Sequence, residues 1–389
     1  MYEQALARFE LANAFGVVAE ENPFDPWEWK AELNGQAPLV RERSAYIGQI
    51  EGENTVYANL IRPGYQGGRF NRTRSVNQYL THWIYPYKGK FHPQMVRALL
   101  NLSGVKPGQR VLDPFVGSGT TALESQILGV DFIGTDISPL CAMLARVKTR
   151  SWEVVDTIRE TVESLLAQGD LHPDQVELPR NAQVEVREFV EIAKMVTYSD
   201  VSRRSREAEH YLARNLRNML ESVESMTQAF REFSLRPGKV EVHRGDCRDL
   251  AAIGLRDNSI DAVVTSPPYS LALDYVKNDA HALEAMSVDL KKGREDFIGV
   301  RGKPAKRLEL YEQDMRRVFS ELGRVVRPGG WVMVVVGDAT VGGAEVKTTG
   351  EMITWAEEGG LKYVRSLPKI VFGLYNVMTD EKILMFQGR

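Results

Sequence analysis

A strand that ends in an acid and runs into a glycine-rich turn constrains this chain more than any other feature. After the apolar Val111 and Leu112 comes the run Asp113, Pro114, Phe115, Val116, Gly117, Ser118, Gly119, Thr120 and Thr121. Glycines let the main chain approach a ligand closely, and the helix expected from Thr120 offers backbone N–H groups to an anion. The spacing is neither Gly-x-Gly-x-x-Gly nor a loop ending in Gly-Lys-Ser/Thr. A small ligand with a carboxylate, an ammonium and a ribose fits this turn better.

A second acid supports a nucleoside ligand. Residues 131–136 read as a strand, and Asp136 at its end follows the glycines by about 20 residues, where a nucleoside-binding βαβ unit places the carboxylate for the ribose hydroxyls. Asp113 and Asp136 would then lie at the carboxyl ends of neighbouring strands. Either acid alone could be a helix cap. Together with the turn they favour S-adenosylmethionine, which carries the carboxylate, the ammonium and the ribose.

A second motif follows another apolar strand, residues 260–264, and reads Thr265, Ser266, Pro267, Pro268 and Tyr269. Two consecutive prolines fix φ and withhold both N–H groups, so that nearby carbonyls act as rigid acceptors. The Ser266 hydroxyl and the Pro267 carbonyl can accept both hydrogens of an exocyclic base amine, and Tyr269 can stack on the ring. Such acceptance localises the nitrogen lone pair, which can then attack an activated methyl group. An ordinary strand-ending turn is the alternative.

Together, the two motifs closely resemble those of the amino-methylating DNA methyltransferases that use S-adenosyl-L-methionine. The similarity spans about residues 82–144 and 240–389. It implies that Asp113 and the glycine turn hold the methionine end, that Phe115 lies against the cofactor, that Asp136 binds the ribose and that Asp246 approaches the adenine amine. The cofactor-binding residues implied are Lys88, His92, Pro93, Asp113, Pro114, Phe115, Gly117, Ser118, Gly119, Thr120, Thr121, Asp136, Ile137, Asp246 and Cys247. The catalytic residues implied are Ser266, Pro267, Pro268 and Tyr269.

The first residue of the catalytic motif bears on the target base. Members of this family with Ser at that position mostly methylate N4 of cytosine, whereas Asp or Asn is usual for N6 of adenine, so Ser266 favours cytosine in duplex DNA. The base would be flipped into the pocket. N6-adenine, a base amine in RNA and an inactive cofactor-binding module that recognises DNA are the alternatives. A restriction endonuclease acting on the same site is the partner such enzymes often have, with no direct contact implied.

The pattern of elements predicts an α/β fold. Strands that alternate with helices indicate a Rossmann-like doubly wound sheet, mostly parallel, and the resemblance adds a C-terminal antiparallel strand, as in class I methyltransferases. The catalytic domain is predicted to comprise residues 81–150 and 237–389. Residues 151–236 show helical periodicity throughout and are expected to form a helical insertion, a candidate target-recognition subdomain. Residues 1–80 are expected to form an N-terminal extension.

Contact with DNA requires a local basic surface, because the formal net charge is only −3. Two segments are candidates. Arg69, Arg72 and Arg74 lie among glycines and aromatics, which suits phosphate contact and base stacking. The second is the basic run that follows the catalytic motif, with Tyr275, Lys277, Asn278, Arg301 and Lys303 as the residues expected at DNA. In both segments, solvated surface charge is the alternative.

The remaining signals concern the environment of the protein. The two cysteines lie far apart, which excludes a disulfide scaffold and favours a reducing compartment. His82 and His92 have no third ligand nearby, so no metal site is expected. The N-terminus resembles no leader, and no run approaches the roughly 18 apolar residues of a membrane span. We therefore expect a cytoplasmic protein with no membrane contact, and the sequence leaves its oligomeric state open.

Overall fold

The computed structural model describes residues 2–22, 25–61, 76–169, 171–204, 208–268, 274–341, 344–346, 348–370 and 380–389. In these ranges the helices are α1 Tyr2–Ala14, α2 Ala37–Arg43, α3 Val56–Leu60, α4 Pro93–Leu102, α5 Thr120–Ile127, α6 Pro139–Arg150, α7 Val155–Leu166, α8 Val184–Arg204, α9 Ala208–Glu232, α10 Tyr275–Asn278, α11 Ala280–Ala285, α12 Leu290–Arg294, α13 Arg307–Val325 and α14 Thr348–Glu358. The strands are β1 Ala19–Asn22, β2 Asp25–Ala31, β3 Gln49–Ile50, β4 Glu53–Asn54, β5 Arg110–Asp113, β6 Asp131–Asp136, β7 Val240–Arg244, β8 Ile260–Thr265, β9 Val326–Gly337, β10 Ala339–Val341, β11 Ala344–Val346, β12 Leu361–Ile370 and β13 Asp380–Gly388.

In the described part of the chain, seven strands form the central sheet in the order β12-β13-β9-β8-β5-β6-β7. Strand β5 pairs in parallel with β6 on one side and with β8 on the other. Strand β13 is antiparallel to both of its neighbours, β9 and β12. The predicted doubly wound sheet, mostly parallel with a C-terminal antiparallel strand, is therefore confirmed. Its order reverses direction between β5 and β8, the point at which open α/β sheets bind ligands at their carboxyl edge.

Alternate residues of the central strands point to opposite faces of the sheet, and each face is covered by helices. Ala262 and Val264 of β8 pack with α4, α5 and α6 on one face. Val263 packs with α13 and α14 on the other face. Burial on both faces explains why Ala262, Val263 and Val264 of β8 are consecutive apolar residues rather than an alternating pattern. The ends of β5, β6 and β8 are thereby fixed relative to one another.

One strand begins earlier than its residue types suggest. Pro328, Gly329 and Gly330 are typical of a turn, but they belong to β9, which starts at Val326. The pairing with β8 shifts there, since Ile260 faces Val326 whereas Ala262 faces Trp331. The extra residues bulge out of the ladder because Pro328 lacks an N–H donor and Gly329 takes a φ of 74°.

The insertion between β6 and β7 is helical, as its periodicity predicts. Helix α9 buries Leu212, Leu216, Met219 and Val223 in a cluster shared with α7 and α8. The same cluster includes residues 140, 143, 144 and 147 of α6, so the insertion packs directly against the sheet-covering layer. Among the described helices, including these long ones, none has the combination of length and apolarity that crossing a membrane requires.

A buried carboxylate joins α5 to the chain that precedes the sheet. Glu124 is fully buried and accepts hydrogen bonds from Tyr79 Oη, from His82 Nε2 at 2.8 Å and from Arg97 Nη1 at 3.3 Å. Burial lowers the pKa of His82 to about 4, so the ring is neutral at neutral pH. Burial disfavours the charge of Glu124 as well, but the donors outweigh it and its pKa is lowered. Residues 79–97 and helix α5 therefore share one buried polar cluster.

Candidate cofactor and active site

The glycine turn begins at a buried acid that also contacts the catalytic motif. Asp113 ends β5 and is 2% exposed. Its Oδ1 accepts hydrogen bonds from the Thr265 hydroxyl at 2.6 Å and from the Phe115 N–H at 3.0 Å. Burial raises the pKa of Asp113 to about 6, against the lowering effect of these hydrogen bonds. Because Thr265 is the last residue of β8, this contact fixes the glycine turn and the catalytic motif to each other.

The turn itself needs glycine at two positions. Gly117 and Gly119 have φ values of 50° and 77°, in the left-handed region that other residues avoid. A Cβ on Gly119 would also come within 2.8 Å of Ala145 on α6. Gly119 is the N-cap of α5, so the turn delivers the chain directly into a helix start. The first N–H groups of that helix have no partners within the helix and can bind an anionic group.

The second acid closes the turn from the neighbouring strand. Asp136 Oδ2 accepts the Gly117 N–H and Oδ1 accepts the Ser138 N–H, both at 2.8 Å. Burial raises the pKa of Asp136 to about 6, and the backbone donors oppose that rise. Each carboxylate oxygen can accept more than one hydrogen bond. Asp136 can therefore hold the turn and still accept from ribose hydroxyls.

The third acid, Asp246, follows β7 and forms an ion pair with Arg248, two residues later in the chain. Arg248 donates to Asp246 through Nε at 2.9 Å and through Nη2 at 2.7 Å. Burial opposes the charge of Asp246, but the hydrogen bonds and charge of Arg248 outweigh it and lower its pKa. Asp246 and Cys247 line the same cavity as the glycine turn. The three strand-end acids predicted from the sequence thus lie around one cavity.

The catalytic motif lies at the same edge. Ser266 Oγ donates to the Val335 carbonyl at 3.0 Å, which orients the lone pairs of the hydroxyl as acceptors. The Pro268 carbonyl accepts from Tyr311 Oη at 2.8 Å. Ser266 and Pro268 line the cavity, whereas Pro267 is buried and is not among the lining residues. Tyr269 lies outside the described residues.

The segment before α4 also contributes to the cavity, although not through the residues expected. Tyr87, Gly89, Lys90 and Phe91 line the cavity, whereas Lys88, His92 and Pro93 do not. Lys88 instead donates to Asn278 Oδ1 at 3.0 Å, and His92 and Pro93 are the N-cap and first residue of α4. Burial lowers the pKa of Lys90 to about 7. The amino group of Lys90 donates to the carbonyls of Asn77 and His82.

The remaining predicted cofactor residues are distributed as follows. Those that line the cavity are Asp113, Pro114, Phe115, Gly117, Ser118, Thr120, Thr121, Asp136, Ile137, Asp246 and Cys247. Gly119, the N-cap of α5, belongs to the turn but is not among the lining residues. Sequence reasoning missed Tyr87, Asp279, Lys369 and Glu381, which also line the cavity. The last two form an ion pair between β12 and β13, and nothing local in the sequence marks it.

The residues expected at DNA occupy different environments. Lys277 and Lys303 are exposed. Tyr275 lines the cavity and stacks on Tyr87, with ring centroids 6.4 Å apart. Asn278 accepts from Lys88, and the Arg301 guanidinium donates to Asp314 through Nε at 2.7 Å and Nη2 at 2.8 Å. Arg69, Arg72 and Arg74 lie outside the described residues. The two exposed lysines are thus the described members of this set that solvent reaches most readily.

The residues that line the cavity fit the chemistry of S-adenosylmethionine. Gly119 is the N-cap of α5, so the first main-chain N–H groups of that helix are available to a carboxylate, and Gly119 itself has no side chain to obstruct it. Asp136 and Asp246 supply acceptors for ribose hydroxyls and for an adenine amine. Phe115 and Ile137 give apolar walls between them. These residues would hold the cofactor with its methionine end towards the turn and its adenosine end towards Asp246.

The model of the N6/N4 DNA methylase family matches residues 20–145 of the chain. The matched segment includes β5, the glycine turn, α5 and β6, the elements that carry Asp113 and Asp136. The catalytic motif at Ser266 lies beyond it. The family match therefore covers the glycine turn and Asp136, but neither Asp246 nor the Ser266 motif.

Three curated proteins are similar to parts of the chain. The type II methyltransferase M.MjaII of Methanocaldococcus jannaschii is 38% identical over 96 residues, 23% of this chain and 18% of that protein. The type II methyltransferase M.BsoBI of Geobacillus stearothermophilus is 24% identical over 321 residues, 67% of this chain and 61% of that protein. The tRNA (guanine(10)-N2)-dimethyltransferase of Methanothermobacter thermautotrophicus is 35% identical over 115 residues, 27% of this chain and 30% of that protein. The matched region spans less than two thirds of each of these relatives.

Proposed function

We propose that the chain is an amino-methylating DNA methyltransferase of the N4/N6 family, whose model matches residues 20–145, and that it uses S-adenosyl-L-methionine to methylate an exocyclic base amine in DNA. One observation carries the proposal. The glycine turn and the Ser266 motif line a single cavity, and Thr265 and Asp113 join them through a hydrogen bond of 2.6 Å. A methyl donor held by the first motif would face an amine held by the second.

The proposed chemistry needs little from the protein beyond position and polarity. S-adenosylmethionine supplies an electrophilic methyl group at its sulfonium. Ser266 and the Pro267 carbonyl would each accept one N–H of the amine, which frees the nitrogen lone pair from the ring. The amine nitrogen would gain the methyl group as the methyl–sulfur bond breaks, which leaves the cofactor as a neutral thioether, and its surplus proton would pass to water. Ser266 would accept the hydrogen bond of that N–H until the proton leaves. Orientation of the two reactants would contribute to the rate enhancement.

We propose N4 of cytosine as the target, because Ser occupies the first position of the catalytic motif. The base would be flipped out of duplex DNA, and Tyr269 would stack on it. We further propose a site-specific DNA substrate and a restriction endonuclease that acts on the same site, as the resemblance of the two motifs implies. Two of the relatives are named type II methyltransferases. A cytoplasmic location is part of the same proposal.

Two other acceptors are kept as candidates. N6 of adenine requires the same two hydrogen-bond acceptors and differs in the size of the ring system. The tRNA guanine-N2 methyltransferase relative supports a base amine in RNA, because its 115 matched residues are 35% identical. The three acceptors give products of different mass or base identity, so a single product analysis distinguishes them.

The test is to incubate the purified protein and S-adenosylmethionine with plasmid DNA in one reaction and with tRNA in another. Each product is then digested to nucleosides and examined by mass spectrometry. We expect N4-methylcytosine in DNA, located in a short motif by sequencing. Finding only N6-methyladenine would refute the base assignment, and methylguanosine in tRNA alone would refute DNA as substrate.

Matched variants separate chemistry from binding. Ser266→Ala is expected to abolish transfer while cofactor affinity survives. Ser259→Ala is the control, because Ser259 precedes the opposite end of the same strand, β8, and donates to the Arg256 carbonyl at 2.6 Å. A wild-type protein that binds cofactor and DNA but transfers no methyl group would be the inactive recognition module instead.

A further inference from the structure

One face of helix α13 is connected through hydrogen bonds to both halves of the cavity. Tyr311 and Asp314 are three residues apart, so they lie on the same side of the helix. Both are buried, with 0% and 1% of their surface exposed. Neither lines the cavity, and neither belongs to the two motifs that predict the function. Tyr311 is hydrogen-bonded to Pro268, which lines the cavity, and Asp314 is hydrogen-bonded to Arg248, which in turn binds the lining residue Asp246.

Tyr311 acts on the catalytic motif. Its hydroxyl donates to the Pro268 carbonyl at 2.8 Å. The ring of Pro268 fixes φ, and a hydrogen bond to its carbonyl restrains ψ, so both backbone torsions of this residue are constrained. Since Ser266 donates to Val335 two residues earlier, the described part of the motif is fixed at both ends.

Asp314 acts on the adenosine side through two arginines. Its carboxylate accepts from Arg248 Nη1 at 2.9 Å and from Arg301 through two hydrogen bonds of 2.7 and 2.8 Å. Arg248 in turn grips Asp246 through Nε and Nη2 and donates to the Asp296 carbonyl at 3.2 Å. Asp246 and Asp296 both line the cavity. A buried carboxylate with two cationic partners is a rigid anchor for this wall.

We propose that α13 positions the two reactants separately, with Tyr311 orienting the catalytic motif through Pro268 and Asp314 orienting the adenosine wall through Arg248 and Arg301. This inference rests on the proposed methyl transfer. It assigns Arg301 to the support of the adenosine wall, through Asp314, in place of the DNA contact that its position in a basic run suggested. Tyr311 and Asp314 are positioning residues, because each acts through another residue.

The experiment measures two quantities in each variant: the dissociation constant for S-adenosylmethionine by calorimetry, and kcat for methylation of plasmid DNA at saturating cofactor. Tyr311→Phe removes one hydroxyl and is expected to lower kcat about tenfold through misplacement of the motif, with cofactor affinity within twofold of wild type. Asp314→Asn removes the charge that accepts three hydrogen bonds from Arg248 and Arg301, and it is expected to raise the dissociation constant about tenfold, with kcat within twofold.

The split between kcat and affinity is the readout that a purely structural role would not give. Glu312→Gln, on the same helix and paired with Arg316, is the control and should change neither quantity. If Asp314→Asn is too unstable to assay, Asp314→Glu keeps the charge, shifts its position and should show the same affinity loss to a smaller degree. Equal changes of both quantities in both variants would overturn the proposal.

Failure of the proposed function would look different. A wild-type protein that binds S-adenosylmethionine and methylates no nucleic acid would overturn the methyl-transfer proposal, and the role of Tyr311 with it. The comparison of cofactor affinity between wild type and Asp314→Asn needs no turnover, so it would still decide the role of Asp314.

Discussion

Replacing Gly119 of the cofactor turn by alanine should lower the free energy of unfolding for two separate reasons, backbone strain and a steric clash. Gly119 combines a φ of +77° with a close neighbour, since an added Cβ would stand 2.8 Å from Ala145. Gly108, in the turn before β5, has a φ of +81° and nothing within 4 Å of an added Cβ. Gly108→Ala therefore reports backbone strain alone, and Gly119→Ala reports strain plus a clash.

The magnitudes follow from these two contributions. A left-handed conformation costs an alanine about 1–2 kcal/mol, and the smaller entropy of its unfolded chain offsets part of this, which leaves about 1 kcal/mol for Gly108→Ala. At Gly119 the Cβ needs about 0.6 Å more, the difference between 2.8 Å and an ordinary contact of 3.4 Å. Overpacking of this kind adds about 1–3 kcal/mol. We expect Gly119→Ala to lose about 2–4 kcal/mol of unfolding free energy.

Urea unfolding of the two variants and the wild type measures the difference. A second measurement is cofactor affinity, which Gly119→Ala should weaken about tenfold, or 1.4 kcal/mol, because the start of α5 is displaced. Gly108→Ala should leave that affinity unchanged, since Gly108 is remote from the cavity lining. Equal stability losses in the two variants would refute the reasoning, because they would show that the clash at Ala145 relaxes at no cost.

Other outcomes follow from the charges described above. Burial raises the pKa of Asp136 to about 6, so this acceptor becomes protonated below pH 6. Cofactor affinity should therefore fall up to about tenfold per pH unit below pH 6 and be constant above it. In a calorimetric pH series, Asp136→Asn should show a shallower dependence of affinity on pH. Glu124→Gln leaves buried donors without their charged acceptor and should cost about 3–5 kcal/mol in urea unfolding. Lys303→Ala should lower the salt slope of DNA binding by about one, whereas Arg301→Ala should leave that slope unchanged and weaken cofactor binding.

The parts of the site that are built from consecutive residues could be predicted from the sequence. An apolar strand, an acid, two glycines and a helix start determine the turn locally, because glycine conformation and helix geometry depend on few neighbours. The strand ends at Asp113, Asp136 and Asp246 follow from the regular alternation of strands and helices. The two prolines mark the catalytic motif in the same way. All of these features come together at the carboxyl edge of the sheet.

The parts that depend on distant pairing could not be predicted. Tyr275 and Arg301 lie in a basic run and read as DNA contacts, but Tyr275 lines the cavity and Arg301 pairs with Asp314. Which charge faces solvent and which finds a buried partner depends on how helices dock, and composition does not encode that. The Lys369–Glu381 pair depends on the register of two C-terminal strands for the same reason.

The cluster around Glu124 limits how freely the region ahead of the sheet could be exchanged between related proteins. A hybrid that took residues 1–81 from a related protein would replace Tyr79, whose hydroxyl donates to Glu124 in the middle of helix α5. Unless the replacing side chain also donated a hydrogen bond, the buried carboxylate of Glu124 would lose one of its donors, in the helix that follows the cofactor turn. The two regions are therefore expected to be inherited as one unit.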